Sequence, residues 1–396
     1  MKKSQKVQKT ENLELETVLV LQGGGSLGAY ECGVYKTLYE HGIEFDILAG
    51  SSIGAINAAI ICSAQNENQD APKVLEAFWL DLSENFQPAI ELTRQATAND
   101  RTLALMSSIY SVTYGNTKAF MPRWLIPDFA NYFPQNWNYM YDTSPLRSTL
   151  KRYVNPDGLK KILADDKDSC RLIISATDIQ KGVPIIFDNK KMDVNIEKIV
   201  ACAGYPFYGI KWTESDGRFL WDGSLLSNTP MLDVIHASPK YDKEYYIVDV
   251  FPREQKELPN NMIEVWHRAR DIMFMDKTDK NVQLLKEIEK YLSLLKRINT
   301  IINGSDVRID QKTKARLDEI APEYHDIAQR RGAVIKEVTR IGRRESMHYL
   351  FEDADFSEYR IRKLIAEGEQ DAERAINQSK EKEALSKNSI IESAEQ

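Results

Sequence analysis

No run of about 18 apolar residues occurs in the 396-residue chain, so no helix is expected to cross a membrane. The N-terminus, MKKSQKVQKTENLELE, opens on lysines but lacks the apolar stretch of a secretory signal, and residues 1–16 read as a flexible arm. Cysteine is scarce. Cys32, Cys62, Cys170 and Cys202 show no CxxC spacing, which argues against a metal site and a disulfide framework and for reduced, packed thiols in the cytoplasm. An excess of basic charge is also missing: 52 Lys and Arg against 59 Asp and Glu give a net charge of −7, which speaks against nucleic-acid binding. No internal repeat is visible. What is present is a globular composition, 42% hydrophobic and 28% charged, long enough for two domains or for one domain with a large extension.

The informative stretches are rich in glycine. Phe45 to Ala49 reads as a short buried strand and Ile53 to Ser63 as a helix, so Gly50-Ser51-Ser52-Ile53-Gly54 falls on the turn between them. In a Gly-x-Ser-x-Gly turn the middle side chain is forced outward, while side chains at the flanking sites would meet backbone. Ser52 fits that role and Ser51 does not. Read alone, the stretch is equally a glycine turn capped by serine.

A second strand–turn–helix unit precedes it. Thr17 to Gln22 is a strand candidate running into Gly23-Gly24-Gly25-Ser26-Leu27-Gly28, and a helical pattern extends from Ala29 to Glu40. This GxGxxG, with Glu44 or Asp46 about 20 positions on, is compatible with dinucleotide binding. The same loop also presents backbone N–H groups at a helix N-terminus, which suits an oxyanion. A glycine-flanked serine on the next strand favours acyl transfer over nucleotide binding.

A serine nucleophile needs a proton acceptor. None of the five histidines (His41, His236, His267, His325, His348) sits in a distinctive turn. Asp222, at the end of the strand candidate Arg218 to Trp221 and followed by Gly223 and Ser224, is a stronger candidate. Burial between Trp221 and Leu225 would raise its pKa and let it accept a proton directly, although Asp-Gly is also a plain turn signal.

GGGSLG, GSSIG and WDGS, in that order, resemble the patatin-like phospholipases, as do ACAGYPFYG (201–209) and DGSLLSNTPMLDVI with Asn228, Thr229 and Pro230. The resemblance covers about residues 17–250. YDTSPLRSTLKRYVNPDGL (141–159) and FSEYRIRKLIAEGEQDA (356–372) resemble a bacterial branch with an extra C-terminal region. The family implies a three-layer α/β/α sandwich with a mostly parallel sheet and a Ser–Asp dyad of Ser52 and Asp222. It further implies an oxyanion loop (Gly23, Gly24, Gly25, Ser26, Gly28), an elbow flanked by Gly50 and Gly54, and an Asp-Gly motif with Gly223 and Ser224. Its activity is acyl-ester hydrolysis, with phospholipid or another acyl ester as substrate and no cofactor or metal. Two positions depart from the pattern: Leu27 stands where a basic residue is common, and Ser224 where Gly or Ala is.

Residues 108–141 are dense in aromatics and interrupted by Pro122, Pro127 and Pro134, so an irregular insertion is expected there, as a lid or a packed loop. Beyond residue 250 the pattern turns helical. Leu284, Ile288, Tyr291, Leu295, Ile298 and Ile302 form one apolar face, and Lys296-Arg297, Arg330-Arg331 and Arg343-Arg344 supply basic pairs. The expected organisation is an arm (1–16), a catalytic domain (17–250), a mostly helical region (251–375) and a polar tail (376–396). The helices offer a surface for a second copy of the chain, and the basic face one for a lipid membrane. The alternative function is a weakly active or partner-gated lipid-binding protein.

Overall fold

The computed structural model describes residues 15–83, 100–126, 134–163, 169–239, 241–255, 258–275, 278–302, 310–331, 334–344 and 351–394. Most of the expected N-terminal arm, residues 127–133 of the aromatic segment and His348 lie outside them. In chain order the strands are β1 (Leu15–Leu21), β2 (Ile47–Gly50), β3 (Met121–Pro122), β4 (Tyr141–Asp142), β5 (Arg171–Asp178), β6 (Val183–Asp188), β7 (Thr213–Ser215), β8 (Arg218–Asp222), β9 (Asp242–Asp249) and β10 (Ile335–Gly342). Eight of them form one sheet in the order β10-β9-β1-β2-β5-β8-β7, with β6 also on β5; β3 and β4 form a separate small pair. The pairs from β10 to β5 are parallel, and β6, β7 and β8 join antiparallel.

The near-continuous apolar runs VLVL and ILA are what a parallel strand covered on both faces requires, and Val18 to Leu21 and Ile47 to Ala49 are buried. One cover is made by α1 (Gly28–Glu40), α2 (Ile53–Asn66), α3 (Ala71–Ser83) and the long helix Glu358–Ala394. The opposite face packs Val18, Val20, Ile47 and Tyr245 against the helix Met231–Ala237. The result is the three-layer sandwich with helices in the C-terminal region.

That C-terminal region is woven into the sandwich. Its β10 extends the sheet beside β9, and the helix Glu358–Ala394 crosses α1 almost backbone to backbone. A Cβ on Gly33 would lie 1.9 Å from the Ile365 carbonyl oxygen, and one on Gly368 2.1 Å from that of Tyr30. The polar stretch from residue 376 continues this helix to Ala394. Within the aromatic segment, residues up to Tyr114 complete a helix begun at Asp100, and irregular chain begins only at Gly115. No helix among the described residues is long and apolar enough to cross a membrane.

Register places the site. Leu21 of β1 pairs with Gly50 of β2, so the loops leaving these strands start level and side by side at the C-terminal edge. Asp222 pairs with Ala176, two residues beyond the Ile174 that faces Gly50, so the end of β8 arrives at the same edge.

Candidate active site

Ser52 stands between β2 and α2 with φ 53° and ψ −126°, a conformation that costs a non-glycine residue about 1–3 kcal/mol and persists only where its surroundings enforce it. The flanking glycines are the enforcement. A Cβ on Gly50 would sit 2.3 Å from the Gly54 carbonyl carbon, and one on Gly54 2.4 Å from the Leu21 oxygen. Ser51 points the other way: it is fully buried and its Oγ donates to the Ser227 carbonyl at 2.8 Å. Ser52 therefore projects from the first turn of a 14-residue helix, where the helix dipole favours developing negative charge.

Asp222 faces it from the end of β8. Its Oδ1 accepts the Ser224 N–H at 2.8 Å, while Oδ2 is buried without a hydrogen-bond partner among the described residues. Burial pushes this carboxyl from 3.8 up to about 6; the nearby hydroxyls of Ser52 and Ser224 and the Ser224 amide pull the other way. Neither hydroxyl reaches Oδ2 in regular hydrogen-bond geometry. Gly223 lets the Asp-Gly turn lie on β5, since a Cβ there would meet the Ser175 oxygen at 2.4 Å.

The glycine loop closes the third side. A Cβ on Gly23 would fall 2.7 Å from each of Ser52 Cβ, Ser224 Oγ and Asn228 Oδ1, so this glycine marks the point where the three segments converge. Gly23 donates its N–H to Asn228 Oδ1 at 3.0 Å, and Gly28 donates back into the turn formed by Gly25 and Ser26. The N–H groups of Gly24, Gly25 and Ser26 have no protein acceptor among the described residues. Of these three, Gly24 and Gly25 line the cavity with Ser52 and Asp222, whereas Ser26 is buried behind it. Gly25 adopts φ +58°, which turns the chain into the short helical turn before α1.

The cavity holds about 410 Å³ and is walled mainly by apolar side chains, among them Ile56, Leu146, Phe251, Phe274 and Phe356. Val112, Phe120, Met140 and Tyr141 add a wall from the aromatic segment, whose Phe120 and Tyr141 rings meet edge to face at 5.4 Å. Among the described residues no histidine lines it. Residues 19–235 match the sequence pattern of patatin-like phospholipases, more than half of the chain.

The chain belongs to the patatin-like phospholipase family.

Among curated proteins, it is 51% identical over 45 residues to Triacylglycerol lipase SDP1L of Arabidopsis thaliana and 48% identical over 48 residues to Neuropathy target esterase sws of Drosophila persimilis. These segments are 11% and 12% of this chain but only 6% and 3% of those proteins. Among solved structures, VipD from Legionella pneumophila aligns over 92% of this chain and 67% of its own, with a TM-score of 0.36 and 10% identity. The type III effector ExoU aligns over 92% and 53%, with a TM-score of 0.28 and 14% identity.

In this patatin-like chain Leu27 is buried, so no basic side chain stands at its place in the glycine loop. Sequence reading passed over several residues at the site. Tyr208 lines the cavity and donates to Asp353 Oδ2 at 2.6 Å, and Asp353 with its neighbour Glu352 binds the guanidinium of Arg270. Nothing in their spacing signals the contact, since Tyr208 and Asp353 lie 145 positions apart.

Proposed function

We propose that this protein is a serine lipid acyl hydrolase working through Ser52 and Asp222. The reading rests on one observation: an outward serine at a strained elbow and a buried carboxyl raised to about 6 share an apolar cavity with two backbone N–H groups that have no acceptor among the described residues. In the reaction the Ser52 proton passes to Asp222 as Oγ bonds to the ester carbonyl carbon. The oxyanion rests on the Gly24 and Gly25 amides, a role worth about 10²–10³ in rate per donor. Collapse breaks the bond to the alcohol, which leaves with the proton from Asp222. Water, deprotonated by the same carboxylate, then attacks the acyl-enzyme, and the fatty acid departs as Ser52 recovers its proton. The residues supply nucleophile, base and oxyanion donors without a cofactor.

The substrate class is argued from the walls and the mouth. Met140, Phe207 and Trp266 line the cavity yet are 47%, 77% and 40% exposed, so its opening carries an apolar lip suited to long acyl chains presented from a phospholipid surface. A partner-gated reading has one observation in its favour. On the helix Thr278–Ile302, Leu284, Tyr291 and Leu295 are 55%, 66% and 46% exposed, an apolar face that nothing in the described chain covers. A fluorophosphonate probe, together with turnover of a soluble long-chain ester, tests the main reading. Adduct and turnover are expected in the wild type and absent in Ser52→Ala; equal turnover in wild type, Ser52→Ala and Asp222→Asn ends it.

A further inference from the structure

The glycine loop is held from two sides, and only one of them belongs to the motifs of the catalytic domain. Asn228 fixes Gly23 by accepting its N–H at 3.0 Å and donating to its carbonyl at 3.3 Å. The other side is the turn at residues 351–355. Ser26 Oγ donates to the Glu352 carbonyl at 3.1 Å, and the Asp353 carbonyl lies where a Gly25 Cβ would be, 2.3 Å away. The two loop residues held by this turn are among those whose N–H groups remain without an acceptor in the described chain.

This turn is itself fixed by buried charge. Arg270, on the helix Met262–Phe274, donates to Glu352 Oε1 at 2.7 Å and approaches Asp353 Oδ2 at 3.5 Å, and all three groups are nearly inaccessible to solvent. Arg343 adds a second cation 3.4 Å from Glu352 Oε1 while its Nε donates to the Val250 carbonyl. Burial alone would raise Glu352, but Arg343, Arg270 and Arg360 hold it well below the usual carboxylate range. Phe351 enters the turn with φ 59° and lines the cavity, as Asp353 does. A strained entry, two buried carboxylates and their arginines thus converge on a short turn whose backbone bears on Gly25 and Ser26.

We infer that the 351–355 turn is a clasp that sets the position of the oxyanion amides, with Ser26, Arg270 and Glu352 as positioning residues for hydrolysis. The clasp deepens the hydrolase reading and rests on it. Ser26, Arg270 and Glu352 do not line the cavity and act through the loop, so their loss lowers kcat and leaves KM nearly unchanged.

Three variants test this. Ser26→Ala removes a single tether, and kcat is expected to fall about tenfold, the worth of one neutral hydrogen bond near its upper range. Arg270→Lys keeps the charge but loses the fork that spans two carboxylates, and a fall of about 10²-fold is expected, comparable to losing one oxyanion donor. Arg171→Lys is the control: it weakens another buried pair, Arg171–Asp188 at 2.7 Å, at the opposite end of β5, and should lower the melting temperature without touching kcat. Hydrogen exchange of the peptide covering residues 22–28 supplies a readout independent of turnover; it should speed up in Ser26→Ala and Arg270→Lys and stay at the wild-type rate in Arg171→Lys. Wild-type kcat and wild-type exchange in both clasp variants overturn the clasp. Absence of Ser52-dependent turnover in the wild type overturns the hydrolase reading instead, and the exchange data still decide whether the turn holds the loop.

Discussion

Replacing Asp222 by asparagine separates the chemistry of this carboxyl from the cost of burying it. The side chain is fully buried, and its Oδ1 bond from the Ser224 N–H at 2.8 Å is one that an amide oxygen keeps. A carboxyl moved from 3.8 to about 6 binds its proton more tightly folded than unfolded. Well below pH 3.8 both states are protonated and burial carries no penalty. Between about pH 4 and 6 the unfolded chain ionises while the folded one keeps its proton, so the wild type loses about 3 kcal/mol of stability across that window, and the loss is complete above about pH 6. Asparagine does not titrate. Asp222→Asn should therefore be more stable than wild type at pH 8 by up to about 3 kcal/mol, and nearly equal to it at pH 4. With about 2.1 cal/mol/K of unfolding entropy per residue over 396 residues, that corresponds to a melting point higher by about 4 °C. Turnover should fall by about 10²–10⁴ with the loss of the base. Calorimetry at both pH values, beside an ester assay, checks the pair of effects. A variant that melts below wild type by the same margin at pH 8 and at pH 4 would show that the carboxyl is not held under strain, and the argument for its basicity would fall with it.

Other consequences are simpler to read. The kcat of a soluble ester should rise through about pH 6 and level off above it, because Asp222 must be ionised to take the proton; full activity at pH 4.5 would contradict this. Ser224→Ala removes a hydroxyl that favours the ionised carboxyl, so the midpoint of that profile should move upward, and an unmoved midpoint would leave Ser224 no part in tuning the base. Gly23→Ala puts a methyl 2.7 Å from Ser52 Cβ, and circular dichroism should find the fold intact while fluorophosphonate labelling drops at least tenfold. Phe207→Ser, at the 77% exposed lip, should weaken sedimentation of the Ser52→Ala protein with phosphatidylcholine vesicles; equal binding of both proteins would remove the lip from membrane contact.

The central strands and the elbow were legible in the chain because their constraints are local. VLVL with three glycines close behind it, and ILAG running into SSIG, each state a strand, its end and the need for close backbone approach within about ten residues. Asp222 was legible through its Asp-Gly turn. The strand Ile335–Gly342 was not, because Lys336, Glu337 and Arg340 interrupt its β-branched residues and read equally well as the polar face of a helix. The pairing of Glu352 with Arg270, and of Gly33 with Ile365, could not be read at all. Such partners meet only after the sheet has formed, and no spacing within either segment encodes the other.

The crossing of Gly33 with the helix around Gly368 has a consequence for how the protein comes to be made. During translation α1 leaves the ribosome some 335 residues before its covering helix, roughly 20–70 s at about 5–20 residues per second. Throughout that interval Tyr30 and Val34 have no lid over them and the turn that bears on Gly25 does not yet exist. A nascent chain therefore carries Ser52 long before the 351–355 turn can bear on its glycine loop, and on the proposed reading it gains activity only once residues 351–372 have emerged.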